Sequence, residues 1–148
     1  DVSNYDVIIF DCPPTVSFTS TAALAAADFV VAPIRLDAFA VKGLVRLMNE
    51  INTVENYYKL RPELVILPTH YAPQLARIGR MQTQLNQYRD LLAPNAISAS
   101  EEFPKSLNQY LPLSLQKPTS TPAKEYRVFA EHMLSKILAF ANEKGRKS

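Results

Sequence analysis

Three short apolar runs punctuate the first half of the chain. Residues 6–11 read DVIIFD, an unbroken β-branched and aromatic run closed by an acid. Residues 29–34 read FVVAPI, and residues 64–69 read LVILPT. Apolar runs without polar alternation predict strands covered on both faces, as in a parallel sheet. The segments between them carry a helical period. The CPPT that follows the first run halts it, because adjacent prolines cannot continue a ladder. Next comes SFTSTAALAAAD, an alanine-rich helix with Ser17 or Thr19 as its N-cap. Over 40–60, Val41, Leu44, Val45, Met48, Ile51 and Val54 recur at three- and four-residue spacing and predict a helix with one apolar face. Over 74–92, Leu75, Ile78, Leu85 and Leu92 predict another. A short strand is expected near 95–99 (NAISA), and a loop over 100–121 holding Pro104, Pro112 and Pro118. A last helix is expected over 122–143, with Pro122 in its first turn and Tyr126, Phe129, Ala130, Met133, Leu134, Ile137 and Leu138 as its apolar stripe. Strands alternating with helices give an α/β fold class, a mostly parallel sheet flanked by helices in a single domain over 1–148. In such sheets ligands bind beyond the carboxyl ends of the strands. The informative residues are therefore 11–14, 33–37, 69–72 and 97–100.

Composition narrows this picture. Three glycines in 148 residues are about 2%, against roughly 7% on average, and no two of them are close. The chain thus carries no glycine-rich phosphate loop of the Rossmann or Walker A kind. The net charge is +2, and the last six residues, EKGRKS, supply all of it. The body is near neutral, so charge alone does not indicate a nucleic-acid binder. The single cysteine, Cys12, cannot form an internal disulfide, which fits a reducing compartment. No stretch reaches the roughly 18 apolar residues of a membrane span. The opening DVSNYDVIIF shows no signal peptide, and a chain that opens at Asp1 and runs straight into a strand reads as a fragment of a longer one.

Asp11 is the sharpest chemical feature. An aspartate closing an apolar strand sits on rigid backbone at the ligand edge, where a Walker B acid binds Mg²⁺ directly or through water. The alternative is that it caps the following loop or helix. Cys12, before a proline turn, reads either as a reactive thiol or, preferably, as filler of that turn. His70 falls at a strand tip, within reach of a ligand. His132 is expected on the surface of the last helix, and the two histidines lie far apart without companion metal ligands. Arg77 and Arg80 share one face of the 74–92 helix, which is either a DNA-facing patch or a solvated face. The basic tail after the last helix allows a membrane reading. The helix's apolar stripe has the width for docking on a sheet, so core packing is preferred.

The neighbours of Asp11, read together, carry a resemblance. The stretch YDVIIFDCPPTVSFTSTAALAAADFVVAPIRLDAFAVKGLVRLMNEI resembles the ParA/MinD-type deviant Walker P-loop ATPases. That family has a YDxIxxDxPP strand and turn, then a helix ending AL-x-AAD, then a strand ending in proline and a GL-x-x-L helix. The later segments are looser: a strand ending in Thr69, then Pro112 and Leu113 ahead of Ala123, Glu125, Tyr126 and Arg127. The resemblance implies a partial P-loop NTPase fold of the SIMIBI type. It makes Asp11 the Walker B acid and catalytic residue near Mg²⁺, and puts Cys12, Pro13 and Pro14 in the second switch. It places Thr69 and His70, with Ile97 and Ser98, near the nucleotide base. It implies ATP and Mg²⁺ as cofactors, and non-specific DNA binding for which Arg77, Arg80 and Lys105 would substitute where the family has an arginine and this chain has Gln74. It further implies a cytoplasmic, nucleoid-associated homodimer with a centromere-binding ParB-type partner, moving plasmid or chromosome cargo. Attachment to membranes is not expected.

The chain departs from the family pattern in what it lacks. The phosphate loop with its two lysines and the first-switch aspartate are absent. Ala22 stands where asparagine is usual, and Tyr110 and Leu111 stand where glycine is common. Phosphoryl transfer is catalysed mostly by positioning and charge neutralisation at the phosphates. This chain alone is therefore expected neither to bind ATP tightly nor to hydrolyse it. Two alternatives remain open, a non-catalytic α/β interaction module and a MinD-like membrane-associated regulator. A phosphoacceptor receiver would need further acids beside Asp11, which are not found.

Overall fold

A computed structural model of the chain describes residues 4–13, 15, 17–35, 40–72 and 85–145. In chain order these form α1 (Phe18–Ala26), β1 (Phe29–Arg35), α2 (Ala40–Tyr58), β2 (Glu63–Thr69), a 3-10 helix (Asn86–Leu91), α3 (Glu102–Asn108), α4 (Leu113–Gln116) and α5 (Thr121–Gly145). The expected α/β architecture is present: β1 and β2 pair in parallel, from Phe29 opposite Glu63 to Arg35 opposite Thr69.

The start of α1 is set by a reciprocal cap. The Ser17 hydroxyl accepts from the Ser20 amide, and the Ser20 hydroxyl accepts from the Ser17 amide at 2.8 Å. Two of the otherwise orphaned N-terminal donors are satisfied this way. Of the two expected N-caps, Ser17 is the one used.

Ladder geometry explains the two strand prolines. The Glu63 amide donates to the Asp28 carbonyl at 2.9 Å. Since successive residues point their backbone groups to opposite sides, the even-numbered residues of β1 face the odd-numbered residues of β2. Pro33 therefore points away from β2, along the outer edge of β1, where it withholds no ladder donor. Pro68 points to the far side of β2, where its carbonyl accepts from the Ile97 amide at 2.8 Å.

Side chains alternate across this sheet; α2 covers one face, while the other is covered over β2 at Val65 and Leu67 and leaves Val31 of β1 39% exposed. Ala32, Ile34, Leu64 and Ile66 form one core with Leu44 and Ile51 of α2 and with Leu85. Ile66 is fully buried, worth about 1.5–3 kcal/mol of transfer free energy for such a side chain. On the other face α5 runs back along the strands. Its far end brings Phe140 edge-on to Phe29, with ring centroids 5.4 Å apart, and pairs Lys136 with Glu63. Among the described residues, no helix is long and apolar enough to cross a membrane.

Several expectations are corrected. Residues 6–11 do not form a strand: they carry no regular secondary structure, and Val7, Ile8, Ile9 and Phe10 are exposed, Ile9 to 87%. A strand needs partners for its N–H and C=O groups, and the sheet described here has two strands with 6–11 on neither edge. The strand near 95–99 is instead an interrupted edge segment: isolated bridges pair Leu92 with Ile66 of β2 and Ser98 with Tyr71, just past the end of β2. The loop over 100–121 contains α3 and α4. Pro104 is compatible with α3 because the first turn of a helix has no N–H partners to lose. The face of α2 omits Val45, which is 43% exposed, and on α5 Tyr126, Leu134 and Leu138 are also exposed. His132 is half-buried, not a surface residue. Most of the 74–92 helix, including Leu75 and Ile78, lies outside the described residues. The portion within them is the 3-10 helix.

Candidate functional site at the strand ends

The carboxyl ends of β1 and β2 open into a pocket of about 270 Å³, lined by Pro33, Thr69, His70, Ile97, Phe103 and Tyr126. Each wall has a local cause. The Thr69 hydroxyl donates to the Ile34 carbonyl at 3.1 Å, closing the ladder where its backbone bonds end. His70 then turns the chain sharply, with φ of 52°. That left-handed conformation costs a non-glycine residue of order 1–2 kcal/mol, and histidine is among the residue types enriched there. The turn delivers Tyr71 to the 97–99 segment. The Tyr71 amide donates to the Ile97 carbonyl and the Ala99 amide to the Tyr71 carbonyl, each at 3.0 Å.

The outer wall comes from α3 and α5. Phe103 and Tyr126 meet edge to face, with centroids 6.0 Å apart and planes at 86°. Although Tyr126 keeps part of its surface in solvent, partial desolvation raises its phenol above the ordinary value of 10.0. Behind the pocket, Glu125 accepts from the Ser98 amide at 2.7 Å and from the Ser98 hydroxyl at 2.6 Å. The pocket is thus mostly apolar and aromatic, with polar groups at Thr69, His70 and Tyr126. Such a lining suits a flat ring with polar atoms at its edge.

Thr69, His70 and Ile97, named from the sequence, therefore come together, with Ser98 directly behind them. Asp11, Cys12 and Pro13 are exposed in the irregular N-terminal stretch and do not line the pocket. Pro14, Arg77 and Arg80 lie outside the described residues. Lys105 is exposed on α3, 3.1 Å from Glu102, whose other oxygen lies 2.8 Å from Lys117. Lys117 and then Lys105 hold the Glu102 carboxyl below its ordinary value. Two lysines against one glutamate leave this trio with one net positive charge. Among the described residues, no group of three or more His, Cys, Asp or Glu is arranged to hold a metal ion.

Sequence reasoning places Pro33 at the ligand edge but misses Phe103, Tyr126 and Glu125 as parts of this pocket. Phe103 was hidden in a segment read as loop. Tyr126 was assigned to a core stripe. The available signal was the Glu125–Tyr126 pair, which stands in the quoted tail motif.

A protein-family profile described as an AAA domain matches residues 2–66. The sporulation initiation inhibitor protein Soj of Bacillus subtilis is 29% identical over 132 residues, covering 88% of this chain and 52% of that protein. The chromosome-partitioning ATPase Soj of Thermus thermophilus is 28% identical over 141 residues, covering 90% and 54%. Protein IncC of Escherichia coli is 24% identical over 139 residues, covering 90% and 38%. This chain thus spans about half, or less, of the length of these relatives. Together with the parallel, helix-flanked sheet, these matches show that the chain is similar to the Soj and IncC proteins and support a relation to the ParA-type partitioning ATPases, on the α/β architecture of a P-loop NTPase domain.

Proposed function

We propose that this chain supplies the Walker B acid and the base-side edge of the nucleotide site in a ParA-type partitioning ATPase. The observation that supports this most directly is the pocket at the ends of β1 and β2. Its lining includes Thr69, His70 and Ile97, the positions at which the resemblance puts the base. Its aromatic wall offers an apolar face to a purine ring, and Tyr126 offers a hydrogen-bond donor.

Asp11 is the proposed Walker B acid and Mg²⁺ ligand, followed by the second switch. A lone exposed carboxylate fits that role only as part of a ligand set, because Mg²⁺ takes most of its oxygens from phosphates and water. In the whole protein, ATP would bring two copies into a sandwich dimer that binds DNA without sequence preference. Hydrolysis, stimulated by a centromere-binding partner, would release it. Lys105, with Arg77 and Arg80, is the proposed phosphate-neutralising set for DNA, so that binding should weaken steeply with salt.

Amide-resolved NMR titration of this chain with adenosine and with ATP tests the reading. Both should perturb Thr69, His70, Ile97 and Tyr126. ATP should bind within about tenfold of adenosine, because the phosphates find no loop. No perturbation at the pocket would overturn the base-edge assignment. A micromolar ATP affinity would overturn the claim that the phosphate half of the site lies outside this chain.

A further inference from the structure

We propose that Glu125 is the positioning residue of the strand-end pocket, holding residues 95–98 so that Ile97 forms its wall. What occupies the pocket is taken from the base-edge reading above; the role of Glu125 is argued from the hydrogen bonds around it. The side chain of Glu125 meets both donors of Ser98, one on each carboxylate oxygen: the amide on Oε2 at 2.7 Å and the hydroxyl on Oε1 at 2.6 Å. The Asn95 side-chain amide donates to the Glu125 backbone carbonyl at 3.0 Å. One residue of α5 is thus gripped at three points by a four-residue segment. Hydrogen bonds to a carboxylate are short and stronger than neutral ones, which suits them to holding a segment that lacks a continuous ladder.

The same bonds redefine Ser98. With its amide and hydroxyl donors both committed to Glu125, Ser98 has none left for a ligand, so it serves as the anchor of the segment. Ile97 is committed as well. Its amide donates to Pro68 and its carbonyl accepts from Tyr71, and its side chain is 1% exposed. The wall is therefore the Ile97 side chain, fixed from one side by β2 and from the other by Glu125. The next residue on α5, Tyr126, is itself part of the lining. One turn of α5 thus sets two walls of the pocket.

The test uses the whole chain, with adenosine as the probe, and reads affinity and amide hydrogen exchange together. Glu125→Ala should weaken adenosine binding about tenfold, and Glu125→Gln or Ser98→Ala about threefold, since each of the latter retains one of the two bonds. In Glu125→Ala the Ile97 and Ser98 amides should exchange faster, while Ala32 and Ile66 keep wild-type rates. Unchanged affinity despite faster exchange at Ser98 would overturn the proposal, as would unchanged exchange at Ser98. Acceleration that extends equally to Ala32 and Ile66 would also overturn it, by making Glu125 a general stability residue. If adenosine leaves the wild-type pocket unperturbed, the base-edge reading fails first and this proposal falls with it. If adenosine binds and only the variants behave like wild type, the base-edge reading stands and this proposal alone fails.

Discussion

Residues 7–10 (VIIF) and residues 29–34 (FVVAPI) are written in the same apolar vocabulary, yet only the second is a strand. Ile9 is 87% exposed, whereas Ile66, on the strand paired with β1, is fully buried. The difference is one of neighbours. β1 has β2 along one side, α2 over one face and, on the other, Phe140 of α5 against Phe29. Residues 6–11 belong to neither edge of that sheet. An apolar run states that a segment is fit to be buried. Whether it becomes a strand depends on a second segment that takes up its backbone groups.

The sharpest way to break this contrast is a pair of truncations read by urea unfolding. Ile66→Ala should cost about 3–4 kcal/mol, from lost transfer free energy and the cavity left behind. Ile9→Ala should stay within about 0.5 kcal/mol, as for an exposed side chain with no special role. A cost above about 1 kcal/mol for Ile9→Ala would mean that the N-terminal stretch packs.

Smaller effects sharpen the same boundary. Ser17→Ala removes the cap that starts α1, directly after the irregular stretch, and should cost about 1 kcal/mol. A cost near zero would move the ordered region's true start further along the chain. Thr69→Val removes the hydroxyl bond to Ile34 at the other end of the unit and should cost about 0.5–1 kcal/mol. The smallest effect should come from Glu102, which is half-buried between two exposed lysines. Its carboxyl is lowered by Lys117 and Lys105, so its contribution is present above the unfolded-state carboxylate value and lost as pH falls through the folded one. Glu102→Gln should flatten the acid limb of a stability-versus-pH curve slightly and leave the neutral region unchanged.

These contrasts also explain what was legible in the sequence. The α1, β1, α2 and β2 boundaries could be read because the cap, the periodicity and the strand runs all pointed the same way. That Thr69, His70 and Ile97 share one pocket was legible because strand ends in a parallel sheet gather at one edge. Phe103 was not, because three prolines disguised the helix it stands on. Glu125 was not, because nothing local in the sequence reports a bond to a residue 27 positions earlier. The strand over 6–11 was expected for a sound local reason, and only the sheet's neighbour relations overrule it.

The outer edge of β1 has a consequence of its own. Phe29, Val31 and Arg35 point their amides outward along it, and Pro33, in their midst, offers none. A segment laid along this edge presents a carbonyl at every second residue, so in each bonded register one of them meets the proline ring and finds no donor. Uniform edges invite indiscriminate pairing. This one is interrupted: whichever way a strand approaches, the ladder it could build is broken at its middle, so the edge resists the pairing that its flanking amides would otherwise allow.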